Sequence, residues 1–342
     1  MFIPAGYRPR SSPCHHGRLT ILDSDCGVPR RPLSLPGLGQ SVTIRSLPTG
    51  TLPADRAMMK RIAILTKPKL PEAKTQLKSL VSWIREQDRE VLLYHKTAAL
   101  IGEPPTHDKK QIADAADLLL VLGGDGTMLN AARLVEERQV PILGINMGGL
   151  GFLTEVGADE LYPALARVFN QEYRIEERLM LRGQLLRHGE LVAQSTVLND
   201  VIISKGSLSR MIEVQATVDG HVVTKLRGDG LIVSTPTGST AYSMSAGGPI
   251  LHPTVNAMSL TPICPHTLTH RPLLIPGNAA VELLLVSHDD GAMVTFDGQV
   301  GVAMSPSDSV TITASPHKTR LIRFPETTYY DTLRKKLKWG DG

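Results

Sequence analysis

Residues 123–127 read Gly-Gly-Asp-Gly-Thr, which sets one carboxylate, Asp125, among three glycines and a hydroxyl. The run follows the apolar stretch 118–122 and precedes Met-Leu-Asn-Ala-Ala-Arg at 128–133, a helical composition. In a parallel sheet, ligands gather beyond the carboxyl ends of the strands. Gly123, Gly124 and Gly126 let backbone N–H groups approach phosphate oxygens, Thr127 adds a hydroxyl, and a helix N-terminus favours an anion. A carboxylate beside phosphate is repelled unless it has work to do. Asp125 either accepts a proton from an attacking hydroxyl or holds a divalent cation. The plainer reading is that Asp125 caps the helix or supports a turn. That reading would win for a lone Gly-Asp-Gly; the paired glycines after an apolar strand favour the chemical one.

A second constellation is Gly228-Asp229-Gly230, the apolar run 231–234, and then Thr-Pro-Thr-Gly-Ser-Thr-Ala-Tyr-Ser at 235–243. Small residues let a ligand reach the backbone, and hydroxyls donate and accept bonds to sugar and phosphate. Tyr242 offers a face on which a base can stack. A polar surface loop is the equal alternative for this segment taken alone. Asn199-Asp200 can read the hydroxyls or base edge of a nucleoside, or form a simple turn. Arg210 and Arg227 can neutralise phosphates, or stand solvated. Asp297-Gly298-Gln299 is a hairpin-like turn whose Gln299 can reach a ligand. Cys264, His266 and His270 lack a fourth ligand and are interrupted by Pro265, so no metal site is expected there.

These residues need elements to hold them. From residue 60 onward, strand candidates at 61–65, 90–94, 118–122 and 142–145 alternate with helical stretches at about 71–87, 109–115 and 127–138, and a further helix at 158–170. Alternation of this kind predicts a parallel sheet with helices on its faces. After about residue 172, short β-rich runs are divided by Gly, Asp and Pro turns. They fall at 183–187, 201–204, 213–218, 231–234, 281–287, 293–296 and 309–314. The expected fold class is therefore α/β plus all-β. A Rossmann-like domain spans 58–171, a β-rich domain 172–325, and a tail 326–342 with a short basic helix at 329–339. Residues 1–57 are rich in Pro, Arg, Ser and Gly, and are read as a disordered or non-native leader.

The composition narrows the function. The chain has 342 residues and a net charge of +4. Residues 1–57 contain seven Arg and three Asp with no Lys or Glu, so they hold that whole excess. No basic patch on a folded domain is called for, and no nucleic-acid partner is expected. No run of 18 apolar residues exists, so no membrane partner is expected. Three cysteines without a CxxC pair suit a reduced, cytoplasmic protein.

With those residues in hand, the chain resembles the bacterial NAD kinase family over about residues 59–325. The matching pieces are GGDGTMLNAAR at 123–133, GINMGGLGFLTE at 144–155, LND at 198–200, GDGLIVSTPTGSTAYSMSAGGPILHP at 228–253 and PICPHTL at 262–268. The opening GGDGT at 123–127 is shared with diacylglycerol kinases, sphingosine kinases and phosphofructokinases and marks only the superfamily; the long block at 228–253 is specific. The resemblance implies a Rossmann-like domain and a β-rich domain with NAD bound between them. It implies that Asp125 is the proton acceptor for a ribose hydroxyl. It also implies NAD contacts from Asp125, Gly126, Asn199, Asp200, Arg210, Arg227, Asp229, Thr240, Ala241, Tyr242, Ser243, Met244, Ser245 and Gln299. A divalent cation such as Mg²⁺, ATP or polyphosphate as donor, and a homodimer or homotetramer are implied as well. Two rivals stand beside it: another small-molecule or lipid kinase of the same superfamily, and a non-catalytic NAD-binding regulator. The 228–253 block argues against the first, and an intact Asp125 against the second.

Overall fold

The computed structural model describes residues 16–19, 33–36, 59–66, 73–149, 151–206, 210–287 and 291–339. It forms two compact units, Met1–Arg56 and Ala57–Gly342. In the first, β1 (His16–Leu19) pairs antiparallel with β2 (Leu33–Pro36), a strand pair that the composition did not reveal. The rest of the expected leader lies outside the described residues.

The second unit begins with the alternation expected. Strands β3 (Arg61–Thr66), β4 (Glu90–Leu93), β5 (Leu118–Gly123) and β6 (Ile142–Asn146) run parallel in the order β4-β3-β5-β6. Between them lie α1 (Ala73–Glu86), α2 (His95–Ile101), α3 (Lys109–Ala115) and α4 (Asp125–Val135). β5 and β6 are buried throughout, as in a sheet covered on both faces. Successive side chains point to opposite sides. Leu118, Leu120 and Leu122 meet Leu77, Leu80 and Ile84 of α1 in one core, whereas Leu119 and Val121 meet Met128, Ala131 and Val135 of α4 in another. Each fully buried Leu contributes about 1.5–3 kcal/mol. β7 (Val156–Gly157) adds to β6, and α5 (Leu161–Phe169) covers the α1 face through Leu161, Leu165 and Val168.

The next strand, β8 (Arg174–Arg178), is followed by a series of antiparallel strands. These are β9 (Leu181–Arg187), β10 (Glu190–Val197), β11 (Asp200–Lys205), β12 (Ile212–Val218), β13 (His221–Gly228) and β14 (Gly230–Ser234). After a short helix α6 (Tyr242–Ser245) come β15 (Ala257–Ile263), β16 (Leu273–Pro276), β17 (Val281–Leu285), β18 (Ala292–Phe296), β19 (Val300–Ala303) and β20 (Ser309–Ala314). They form two six-stranded sheets, β10-β9-β20-β17-β12-β13 and β16-β15-β14-β11-β18-β19. Alternating burial on β12, β17 and β18 turns one face of each sheet into a shared core. Gly183 is required there, because a Cβ would lie 2.7 Å from the Phe296 ring. β14 is buried on both faces: Ile232 packs with Ile202 and Ile263 on the far side, under Ala246.

The chain then returns to where it began. β21 (Thr319–Arg323) inserts between β6 and β8, parallel to β6 at Leu321↔Ile142 and antiparallel to β8. The first sheet therefore has seven strands, drawn from both ends of this unit. The tail forms α7 (Tyr329–Leu337), opened by a capping box between Thr328 and Asp331. Among the described residues no helix is long and apolar enough to cross a membrane.

Candidate active site

Asp125 is the first residue of α4, directly beyond the carboxyl end of β5. The N-cap is Gly124, with no side-chain capping bond, so Asp125 does not cap the helix. Its carboxylate turns instead to the 151–153 segment. The Phe152 N–H donates to Oδ2 at 3.0 Å and the Leu153 N–H to Oδ1 at 3.1 Å. Gly151 permits this approach, because a Cβ there would lie 2.2 Å from Asp125 Oδ1. Gly123 makes room for a neighbour rather than a ligand, since its Cβ would meet Thr127 Oγ1 at 2.5 Å. The Thr127 and Met128 N–H groups close on the Gly124 carbonyl at 2.9 and 3.2 Å. The amides of Asp125 and Gly126 have no carbonyl of their own helix to bond. Gly124, Gly126 and Thr127 line a cavity of about 510 Å³ at the carboxyl ends of β3, β4 and β5.

A buried ionic cluster fixes the loops on either side. Arg178 is only 3% exposed, and its Nε donates to Glu176 Oε1 at 2.8 Å. Arg323, equally buried, lies 3.3 Å from Glu155 Oε1 and 3.5 Å from Glu176 Oε1. Arg323 Nη1 donates to the Leu153 carbonyl at 3.0 Å, and Arg178 Nη1 to Thr237 Oγ1 at 3.3 Å. The cluster thus reaches both the segment that holds Asp125 and the hydroxyl-rich loop. Burial, and then the neighbouring Arg323, bring the Arg178 guanidinium down to about 10. Removing one member would leave an uncompensated buried charge.

Most hydroxyls of the 234–243 segment build the loop itself. Thr235 Oγ1 donates to the Leu198 carbonyl at 2.6 Å and accepts from the Gly238 N–H at 3.0 Å. Ser239 Oγ donates to the Pro236 carbonyl at 2.6 Å, Thr240 Oγ1 donates to the Thr237 carbonyl at 3.2 Å, and Ser243 Oγ bonds Thr261 Oγ1 at 3.0 Å. Gly238 is pressed on Asn199, whose carbonyl a Cβ would approach to 2.2 Å. Tyr242, 46% exposed, is the large side chain this loop leaves open; Ala241, Met244 and Ser245 accompany it.

Asp297 organises the facing turn. Its carboxylate accepts from the Leu198, Asn199 and Asp200 N–H groups at 3.1, 2.7 and 3.2 Å. Burial, and then the Asp297 carboxylate, push Asp200 up to about 7. Asp297 is itself raised by burial, against the pull of those three amides and of Arg133 on α4, 3.8 Å away. Gln299 Nε2 donates to the Gly126 carbonyl at 2.8 Å and its Oε1 accepts from Arg133, so this side chain braces α4 as well as lining the cavity. Asp229 pairs with Lys205 at 3.0 Å, while Arg210 and Arg227 are exposed; no contact among the described residues joins these three to the Asp125 turn. Gly151, Asp297, Arg133, Arg178 and Arg323 were not singled out from the sequence. Gly151, Arg133 and Asp297 stood within the 144–155 run, the 123–133 run and the 297–299 turn without a role of their own; Arg178 and Arg323 look like surface charges.

A carboxylate held between glycines at the end of a parallel strand suits phosphoryl transfer. Comparison with known proteins agrees. Residues 62–173 match the ATP-NAD kinase N-terminal domain and 198–324 the ATP-NAD kinase C-terminal domain. The NAD kinase of Geotalea daltonii is 45% identical over 283 residues, 83% of this chain and 100% of that one. That of Citrifermentans bemidjiense is 46% identical over 289 residues, with the same coverage. The crystal structure of an NAD kinase from Archaeoglobus fulgidus in complex with ATP matches with a TM-score of 0.64 at 25% identity, covering 81% of this chain and 98% of that one. Yeast NADH kinase complexed with NADH shares the fold, with a TM-score of 0.77 at 24% identity over 84% of this chain and 90% of that one. The chain belongs to the NAD kinase family.

Proposed function

We propose that this chain transfers the terminal phosphoryl group of ATP to the 2′-hydroxyl of the adenosine ribose of NAD, giving NADP. The observation that carries the reading is the Asp125 carboxylate, held at the glycine turn by two backbone amides. Those bonds use two of the roughly four lone-pair directions of a carboxylate. The remaining directions are free to take the proton of the attacking hydroxyl. A ribose hydroxyl is a poor nucleophile at neutral pH, and a positioned base contributes about 10²–10⁴-fold. The donor phosphates lie against Gly124, Gly126 and Thr127, where open amides and the α4 dipole favour anions.

A divalent cation such as Mg²⁺ fits this site as a passenger of the nucleotide. Among the described residues no three His, Cys, Asp or Glu side chains converge to cage one. Mg²⁺ commonly takes one or two carboxylates plus substrate phosphates, and Asp125 is the carboxylate placed to share it. When bound, the cation neutralises charge on the donor phosphates.

The acceptor is read by the second layer. Asn199 and Asp200 present their side chains from the turn that Asp297 organises, and Tyr242 offers its ring to a base. Gly126, Thr240, Ala241, Ser243, Met244, Ser245 and Gln299 supply shape and backbone around them, and Arg210, Arg227 and Asp229 reach the ligand from the sandwich edge. Exposed Val222 and Val223 on β13 support assembly into a dimer or tetramer. The substrates are soluble nucleotides, and we place the reaction in the cytoplasm. The test is direct: purified protein, NAD, Mg²⁺ and either ATP or polyphosphate, with NADP measured. No NADP from either donor would overturn the reading.

A further inference from the structure

The cavity beside the glycine turn carries more positive charge than its surroundings neutralise. Two lysines line it: Lys96 near the start of α2 and Lys109 at the start of α3. Neither forms an ion pair with a described residue, and no described Asp or Glu lines the cavity. The nearest carboxylate in sequence, Asp108, is committed to its capping box, where Oδ1 accepts from Lys110 N and Gln111 N at 2.8 Å each. Glu103 is paired with Arg85 at 2.7 Å, and Asp114 with Arg138 at 2.6 Å. Both lysines also sit in a first helical turn, where an acid would be favoured and neither helix has one. Lys109 and Asn130 line a second, adjoining hollow with Arg133. Lys109 is held below the ordinary lysine range by partial burial, then by the like charges of Arg133 and Lys96. Like charges gathered without a counter-charge are an unfavourable arrangement that an anion relieves.

We propose that Lys96 and Lys109 are the cations that grip the donor's phosphoanhydride chain, in the same cavity that Gly124 and Gly126 line. The proposal rests on the donor placement given above and adds the residues that read it. The ligand is a linear chain of phosphates, either the triphosphate of ATP or inorganic polyphosphate. Lysine suits this role as a compact point charge on a flexible stem, able to follow a chain without a fixed two-oxygen geometry. The lysines hold the donor and take no part in the proton transfer at Asp125.

The experiment compares the full chain with Lys96→Gln, Lys109→Gln and the double variant. Calorimetric titration with tripolyphosphate, and separately with ATP, is run without NAD. Steady-state NADP formation is then measured with each donor. Each single variant is expected to weaken both anions by about tenfold or more, the scale of a lost charge-assisted contact. The KM for the donor should rise while the KM for NAD stays within about twofold. Lys96→Arg and Lys109→Arg should recover most of the binding. Tripolyphosphate binding within twofold of the parent overturns the proposal, as does an equal rise in both Michaelis constants. Loss of ATP binding with tripolyphosphate untouched overturns it too, because the lysines would then serve the nucleoside. A parent that makes NADP while the variants bind normally sinks this site alone. A parent that binds tripolyphosphate through these lysines but makes no NADP sinks the proposed reaction and leaves the anion site.

Discussion

Replacing Asp125 by Asn separates its two duties. The carboxylate accepts one N–H on each oxygen, from Phe152 at 3.0 Å and Leu153 at 3.1 Å. Asn has one carbonyl oxygen, so its NH₂ group would face a backbone N–H and leave that donor unpaired. An unpaired buried donor costs about 1–3 kcal/mol, and the half-buried position puts the loss at the lower end. With an unfolding entropy of about 2.1 cal/mol/K per residue, each kcal/mol moves the melting temperature of a chain of this size by roughly 1–2 °C. The variant is therefore expected to fold and to melt roughly 1–3 °C below the parent. Its turnover should fall by about 10²–10⁴-fold, the contribution of a positioned base. The assay is NADP formation by folded variant at saturating NAD, ATP and Mg²⁺, beside a thermal melt. Raising Mg²⁺ restores part of the activity if the loss lies in cation binding, and none if it lies in proton transfer. Turnover within a few-fold of the parent would refute the base, and an unchanged melting temperature would refute the two-amide clamp.

Gly151→Ala should imitate the catalytic defect without touching Asp125, since its Cβ would lie 2.2 Å from Oδ1; normal turnover would show that the segment gives way freely. Asp200→Asn should change the pH dependence of stability. The folded-state value of Asp200, about 7, lies above its unfolded value near 4. The stability it lends the parent is thus fully present below about pH 4 and lost as pH rises towards 7. The variant should gain on the parent between pH 5 and pH 8 in thermal melts, and a constant difference across that span would count against the buried acid pair. A chain beginning at Met59 should keep the turnover and melting temperature of the whole, because the family match begins at residue 62; a drop of several degrees on truncation would show that the preceding residues stabilise it.

The parallel strands were legible because β3, β5 and β6 are short apolar runs, each meeting a glycine turn, a helix or both. The alternating strands of the sandwich were visible where a single face is buried, as in β12 and β20. The strands β8 and β21 escaped notice because Arg-Ile-Glu-Glu-Arg and Thr-Arg-Leu-Ile-Arg look like solvated surface. Only the fold reveals that Arg178 and Arg323 are buried against Glu155 and Glu176. The placing of Asp125 at the end of β5 and of Asn199-Asp200 at the start of β11 was legible, because residue type and spacing coincide there. The hydroxyl-rich loop was legible as a special segment, but for a different physical reason. Thr235, Ser239 and Ser243 are there to close their own turn and anchor it to Leu198, Leu251 and Thr261. Asp297 was invisible as an organiser because the amides it gathers lie 97 to 99 positions away.

The return of β21 to the first sheet also bears on how the chain is made. Leu321 pairs with Ile142, so the slot between β6 and β8 is filled only after the whole sandwich has been synthesised. On the ribosome, β3 to β6 emerge before the sandwich strands but cannot finish their sheet. The sandwich, whose last strand ends at Ala314, can close before β21 emerges. Its completion brings residue 319 back towards residue 142 and shortens the loop that the last pairing must close. The α/β layer, first in the sequence, is thus the last to be completed. Until then the nascent chain carries β6 with its Ile142 end unpaired, an open stretch of sheet edge of the kind that favours aggregation.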